Sequence, residues 1–214
     1  MAHRKLRTVL ATFLRGLEES REIAADAHSW SVGGSGAPAL ITARRFGSMT
    51  ELAMLRGFLA WETFLEESFL LYMVGERSSG GRAPRRMAFP DNYKMAAEWV
   101  IPEGSRYASW TEAKRVRGKA ERFFAGGRPF APVLVANISM LDEVRVLRNA
   151  IAHASVSTNQ KFEALARVKL GNIPPGLTVG KFLGMTVLGS SPPVSYFESY
   201  MARIEFAARR IVPA

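Results

Sequence analysis

The sequence predicts an all-α fold, a bundle of helices joined by long loops. Helix start and stop signals recur along the 214 residues, apolar residues repeat every three or four positions, and the strict alternation of half-buried strands is nearly absent. Hydrophobic residues at 48% and charged residues at 22% are typical of a globular protein. We predict a single domain over 1–214, with a core at about 48–211 and an N-terminal helix, 6–27, that packs on it.

Two long helices are predicted in the first third of the chain. The first covers 6–27 and is followed by a glycine-rich loop over 29–47. Ser48 and Glu51, three residues apart, form a capping-box pattern that predicts the start of the second helix. This helix is expected to run to about Gly75 and, because it is dense in Leu, Phe and Met, to lie at the centre of the bundle.

The middle of the chain alternates loops with shorter helices. Residues 77–90 are rich in Gly, Ser, Arg and Pro and are predicted to form a loop, followed by a short helix near 92–100. Ser109 and Glu112 repeat the capping-box spacing, which predicts a helix from there through Phe124.

The remaining elements follow from glycine and proline positions. Gly126 and Gly127 end the preceding helix, and Pro132 suits the first turn of the next one, which is expected to run to about His153. The prediction is completed by a helix over 160–170, a short strand over 179–188 and a last helix. This last helix is expected to begin at Ser195, capped with Glu198, and to end at about Ile211.

The positive charge is concentrated in one part of the sequence. The net charge is +10, and the window from Arg77 to Arg128 holds 12 Lys and Arg against 5 Asp and Glu, which is +7 of it. Aromatic residues are interleaved there, among them Tyr107, Trp110, Phe123 and Phe124. The window predicts either a nucleic-acid surface, with cations on phosphates and rings on bases, or core aromatics beneath a solvated basic helix face.

Several functional classes are excluded by composition. The chain has no cysteine, so thiol nucleophiles and cysteine-containing zinc sites are absent, which fits a reducing compartment. Its three histidines, His3, His28 and His153, are far apart and give no zinc-binding spacing. No cofactor and no metal site are therefore predicted. The sequence contains neither a signal peptide nor an apolar run long enough for a bilayer, and we expect a cytoplasmic protein.

The helix after Pro132 carries the most informative residues. At 100° per residue its apolar side chains form one stripe: Val133, Met140, Val144, Leu147 and Ile151. A polar stripe lies roughly opposite: Asp142, Arg145, Asn149 and His153. Arg148 is about 140° from His153 around this helix. The two side chains meet only if Arg148 reaches around, if the helix ends near His153, or if a second copy of the helix supplies the partner.

Arg148, Asn149 and His153 suit one kind of chemistry. Arginine grips a phosphate bidentately, histidine exchanges protons near neutral pH, and asparagine can hydrogen-bond a ribose hydroxyl or a phosphate oxygen. Without a metal, this set suits cleavage of RNA by its own 2′-hydroxyl. The alternative from the residues alone is a solvated Arg and His near a helix end.

The string RNAIAH, residues 148–153, resembles the motif of the HEPN superfamily, in which an Arg and a polar residue are followed by three residues and a His. The segment ERFFAGGRPFAPVLVANISMLDEVRVLRNAIAHAS resembles the RiboL-PSP-HEPN branch in particular. The apolar helix with Trp61, Glu62, Phe64 and Leu65 is also similar to the early helix of that branch. The resemblance covers roughly residues 48–170.

This resemblance implies a helical bundle that forms a homodimer and acts as a metal-independent endoribonuclease. In that arrangement Arg148 would bind the scissile phosphate, Asn149 would position ribose or phosphate, and His153 would be the general acid or base. Many members are toxins or defence effectors controlled by a partner protein, so an antitoxin or inhibitor is a possible partner besides RNA. Relatives also include non-catalytic modules and nucleotide-binding regulatory modules, and the sequence leaves both alternatives open.

Five further residues complete the predicted site. Arg115, Lys119 and Arg122 share one side of their helix, and Arg145 lies on the polar stripe beside the motif, so we expect these four to bind RNA. Glu62 is the fifth, as a possible supporting carboxylate. It is four residues from Glu66 and could form a carboxylate pair with it, although such glutamates more often form a solvated stripe.

Overall fold

The computed structural model describes residues 5–32, 39–153 and 155–213. Within these ranges the chain is predominantly helical and has isolated β-bridges but no sheet, so the predicted all-α class is confirmed. No helix in the described ranges is long and apolar enough to cross a membrane. The glycine-rich residues 33–38, which belong to the predicted 29–47 loop, and His3 lie outside the described residues.

The described helices are listed here in chain order: α1 Leu6–Val32, α2 Ala43–Met73, α3 Tyr93–Trp99, α4 Ala113–Phe123, α5 Phe130–Ala136, α6 Ile138–Ala152, α7 Val156–Leu170, α8 Val179–Gly184 and α9 Tyr196–Ile211. A single 3₁₀ turn, Ala125–Gly127, separates α4 from α5. Both of its glycines have positive φ, 62° at Gly126 and 66° at Gly127, which explains why the chain stops being α-helical there.

The chain divides into two compact units. Unit 1 consists of Met1–Arg15, Ala60–Asp142 and Ile204–Ala214, and unit 2 consists of Gly16–Leu59 and Glu143–Arg203. The single domain over 1–214 stays a prediction.

An aromatic cluster forms the core of unit 1. Phe69 of α2 lies at its centre, with ring centroids 4.9 Å from Phe124, 5.0 Å from Phe130 and 5.3 Å from Trp110. Phe124 and Phe130 stack on each other at 5.8 Å. Because each ring removes a large apolar area from water, this cluster stabilises the packing of α2 against α4 and α5.

Unit 2 is held by a second ring cluster and by a close backbone approach. Phe182 of α8 stacks on Tyr196 of α9 at 4.4 Å and meets Phe162 of α7 edge-on at 5.9 Å. Gly180 of α8 lies directly against the backbone of Gly47 in α2, where a side chain on Gly180 would collide with it. The Glu51 carboxylate accepts a hydrogen bond from the Gly180 backbone N–H at 2.9 Å, which fixes α8 at this point.

One predicted N-terminal cap is confirmed, and two are wrong. The confirmed cap is Ser195, which accepts from the N–H of Glu198 at the start of α9. Asn92, where a helix but no cap is predicted, caps α3. Ser48 is not a cap, because α2 begins five residues earlier and the Ser48 hydroxyl donates back to the Arg44 carbonyl at 3.2 Å. Ser109 is not a cap either, because α4 begins at Ala113 after Glu112.

Other boundaries also differ from the prediction. The first helix runs to Val32 rather than Ala27, and residues 179–184 are helical rather than extended, with only an isolated bridge between Thr186 and Ser195 beside them. The helix expected from Pro132 to His153 is two helices. Asn137 separates α5 from α6, and its side-chain amide donates to the Val133 carbonyl at 2.9 Å, in competition with the backbone.

Candidate functional site

The RNAIAH motif lies at the C-terminal end of α6. The predicted core stripe is confirmed at Val144 and Leu147, which are fully buried, whereas Ile151 is half-buried. On the opposite side Asn149 is half-buried, and His153 is exposed just beyond the last helical residue. Burial along α6 therefore decreases toward the motif, and the end of the motif is accessible to a ligand.

Arg148 and Asn149 interact with each other directly. The Nη1 atom of Arg148 donates to Oδ1 of Asn149 at 3.3 Å. Because this bond uses the amide oxygen of Asn149, the amide N–H groups remain available as donors. The guanidinium likewise keeps donors for an anion, since it has five N–H groups. Both side chains are half-buried, which limits the number of directions they can take.

The backbone of His153 is fixed between two helices. Its N–H donates to the Asn149 carbonyl at 2.9 Å, and its carbonyl accepts from the Ser155 N–H at 2.8 Å and from the Thr158 hydroxyl. Ser155 and Thr158 also form the capping box of α7. The imidazole makes none of these bonds, so it is exposed on a fixed backbone and can meet a substrate.

Arg148 and His153 are not hydrogen-bonded to each other within one copy of the chain. In the described part of the chain no hydrogen bond joins their side chains, and Arg148 bonds to Asn149 instead. Of the three arrangements that the helix geometry allowed, a hydrogen bond from Arg148 around α6 to His153 is not among those of the described residues. The helix does end beside His153, and no hydrogen bond joins the two side chains there.

Glu143, which the sequence analysis did not single out, anchors the start of the α6 segment in unit 2. Its carboxylate accepts from the Tyr200 hydroxyl at 2.9 Å and pairs with Lys169 Nζ at 2.7 Å. Burial, and then the charge of Glu143, raise the pKa of Tyr200 well above its usual range, which keeps the phenol protonated as a donor. Because Tyr200 is 57 residues away along the chain, no local sequence signal predicts this contact.

The predicted supporting carboxylate, Glu62, belongs to unit 1, whereas Arg148, Asn149 and His153 belong to unit 2. Glu62 and its possible pair Glu66 are both half-buried on α2. The charge of Glu66 acts on Lys119 of α4, within unit 1.

The predicted RNA-binding residues of α4 differ in what they contact. Arg115 is exposed and pairs with Glu112 at 2.8 Å, and Arg122 is exposed with its guanidinium 5.2 Å from the ring centre of Phe123. Lys119 is half-buried, donates to the Ser109 carbonyl at 2.5 Å and lies 4.6 Å from the Trp110 ring centre. Burial, followed by the charge of Arg115, lowers the pKa of Lys119. Arg145, the fourth, is half-buried in unit 2.

The four aromatic residues singled out in the basic window separate into two groups. Trp110, Phe123 and Phe124 are buried in the core of unit 1, as the second interpretation of this window expects. Tyr107 is 76% exposed, so it is the one of the four whose ring can stack on a base.

Within the described ranges, no three His, Cys, Asp or Glu side chains lie close enough to hold a metal ion. No known protein family matches the chain, and comparison with curated proteins and with solved structures also found no match.

Proposed function

We propose that the chain is a metal-independent endoribonuclease of the HEPN type that acts as a homodimer. The observation that carries the proposal is the end of α6, where Arg148 and Asn149 are half-buried and bonded to each other and the imidazole of His153 is exposed on a fixed backbone. These three side chains are those of the RNAIAH motif. A cation, a neutral donor and a proton-transfer group at one helix end are groups that RNA transesterification can use.

The proposed reaction breaks one bond and forms another at a single phosphorus. A base removes the proton of the 2′-hydroxyl, the 2′-oxygen attacks the adjacent phosphorus, and the bond to the 5′-oxygen breaks. The leaving 5′-oxygen takes up a proton, so the products are a 2′,3′-cyclic phosphate and a 5′-hydroxyl. Arg148 neutralises the charge that develops on the phosphate oxygens, and His153 transfers one of the two protons.

A second copy of the chain supplies what one copy lacks. Arg148 and His153 are not hydrogen-bonded to each other in one chain. Pairing two copies through the ends of α6 would bring two histidines and two arginines to one cleft. The dimer could then provide both an acid and a base for a reaction that needs two proton transfers.

The products of the reaction test this proposal. Purified protein is incubated in EDTA with a labelled single-stranded RNA and with the same RNA carrying one 2′-deoxy nucleotide at the mapped cleavage position. We expect cleavage of the first, with 2′,3′-cyclic phosphate ends, and no cleavage at the modified position of the second. Cleavage at the 2′-deoxy position, or loss of cleavage in EDTA, would contradict the proposed mechanism. RNA binding without cleavage would favour the non-catalytic module instead.

A further inference from the structure

Five arginines line one cavity of unit 1. The cavity has a volume of about 740 Å³, and its arginines are Arg77, Arg82, Arg85, Arg128 and Arg210. They come from three segments of the chain: the loop after α2, the turn before α5, and the end of α9. No Asp or Glu is among the residues that line the cavity.

These arginines are not neutralised by the protein. Across the part of the chain that the structure describes, none of the five forms an ion pair, and Arg77 makes only a long hydrogen bond, 3.5 Å, to the Gly81 carbonyl. Other arginines of unit 1 differ: Arg117 pairs with Glu121 at 2.7 Å, and Arg209 pairs with Glu205 at 2.8 Å. Like charges that share a cavity repel each other, and a bound anion would relieve this repulsion.

The backbone that carries the cavity arginines is held in place. The Ala125 N–H donates to the Arg85 carbonyl, and the Met87 N–H donates to the Phe123 carbonyl, both at 2.9 Å. The buried Tyr72 hydroxyl donates to the Ile211 carbonyl at 2.9 Å, next to Arg210. A ligand would therefore meet three fixed segments, so little ordering of the backbone would be needed on binding.

The size and composition of the cavity indicate the class of ligand. Its volume lies within the range of about 300–1,000 Å³ that is usual for ligand sites, which is more than a single small ion needs. Every cation that lines it is an arginine, whose planar fork matches phosphate oxygens, and none is a lysine. Apolar side chains such as Pro84, Pro129 and Ile211 contribute to the rest of the lining.

We propose that this five-arginine cavity binds consecutive phosphates of single-stranded RNA. The inference rests on the proposed ribonuclease function, because it takes RNA as the ligand, and it assigns a phosphate site to residues other than the motif and α4. The contacts go to phosphates, so the cavity binds the backbone without reading its sequence. It accounts for five of the chain's 29 Lys and Arg.

The test compares two pairs of arginines with the same change in charge. Arg128→Gln/Arg210→Gln removes two cavity arginines, and Arg117→Gln/Arg209→Gln removes two ion-paired arginines of the same unit. Both pairs are exposed, so neither change disturbs the core. Each double variant is made in the full chain together with His153→Ala, which prevents cleavage. Its Kd for a labelled single-stranded RNA is then measured at a series of salt concentrations from low to moderate.

The cavity pair is expected to weaken RNA binding about tenfold at low salt and to reduce the slope of log Kd against log salt by about 1.4, because each phosphate contact on a single strand contributes about 0.7. The ion-paired control should change Kd less than about twofold. The affinity of the cavity double variant for single-stranded DNA of the same sequence should fall by the same factor, since DNA has the same phosphates.

Three results would overturn the inference: an equal loss of affinity in both double variants, no loss of affinity in the cavity double variant, or a loss for RNA that single-stranded DNA does not share. Failure of the proposed function is a separate outcome, because a wild-type chain that cleaves no RNA can still bind it through the cavity. Conversely, if the wild-type chain cleaves RNA but Arg128→Gln/Arg210→Gln leaves the RNA affinity unchanged, the cavity inference is wrong and the proposed function stands.

Discussion

Arg148 donates a hydrogen bond to the side-chain oxygen of Asn149, its neighbour in the sequence, at 3.3 Å. Adjacent residues on a helix are separated by about 100° and do not normally face each other. The length of the arginine side chain closes this gap, so the two residues present their remaining donors together. Under the proposed function we expect the pair to act as one anion-binding unit, so that a change in either residue affects the other.

The first prediction concerns this pair. Arg148→Ala should lower kcat for RNA cleavage about 10²–10³-fold, the usual effect of removing one group that stabilises transition-state charge. Asn149→Ala should have a smaller effect, because Arg148 keeps its charge. The double variant should then lose less than the sum of the two single losses, since the residues are coupled. Steady-state kinetics of the four proteins measure this, and strictly additive losses would speak against a coupled pair.

The second prediction concerns alkaline stability. Burial raises the pKa of Tyr72 to about 12, whereas an unfolded tyrosine titrates near 10. The folded state binds this proton more tightly, so the stability it contributes is complete below about pH 10 and is lost as the pH rises toward 12. Tyr72→Phe lacks this titration and should lose less stability over that interval.

Tyr72→Phe should also cost about 1 kcal/mol at pH 7, because the Ile211 carbonyl loses its donor. Denaturant unfolding of both proteins at pH 7, 9.5, 10.5 and 11.5 measures the two effects. The difference in unfolding free energy between them should shrink above pH 10. A constant difference would contradict the assignment of this titration to Tyr72.

The third prediction compares two glycines. Alanine at position 180 would place its Cβ 2.6 Å from the Gly47 Cα and still closer to its carbonyl, both of which are backbone atoms, so Gly180→Ala should destabilise the protein by about 2 kcal/mol. Gly118 lies inside α4 with no atom within 4 Å of such a Cβ, and Gly118→Ala should stabilise by about 0.5–1 kcal/mol. Thermal unfolding measures the change in Tm, which should be negative for Gly180→Ala and positive for Gly118→Ala. A shift of Tm in the same direction for both variants would contradict this packing of α8 on Gly47.

The sequence predicts some helix boundaries correctly and others not, and the difference has a physical cause. Asn92 and Ser195 cap helices that follow loops, where no earlier turn competes for their side chains. Ser48 and Glu51 have the same kind of spacing, yet the hydroxyl of Ser48 bonds back to the preceding turn. The capping pattern is local and does not distinguish the start of a helix from its interior.

Some features of the candidate site could likewise be predicted from the sequence, and others depend on the tertiary fold. The buried and exposed faces of α6 follow from its helical period, so the exposure of His153 could be anticipated. The break at Asn137 was signalled by an asparagine within an apolar run, but its effect depends on a hydrogen bond to the Val133 carbonyl. The cavity arginines come from segments far apart in the sequence, and only the tertiary fold brings Arg77 and Arg210 to one place.

The most direct test of the ribonuclease proposal is the cleavage rate of His153→Ala beside His28→Ala, both measured in EDTA. Each variant removes one exposed imidazole from unit 2, and the His28 ring lies edge-on to Phe46, with ring centroids 6.3 Å apart. We expect His153→Ala to lose at least about a hundredfold in kcat while its Tm stays unchanged, since loss of a general acid or base typically costs 10²–10⁴-fold. His28→Ala should cleave at the wild-type rate. Full activity of His153→Ala would contradict the account.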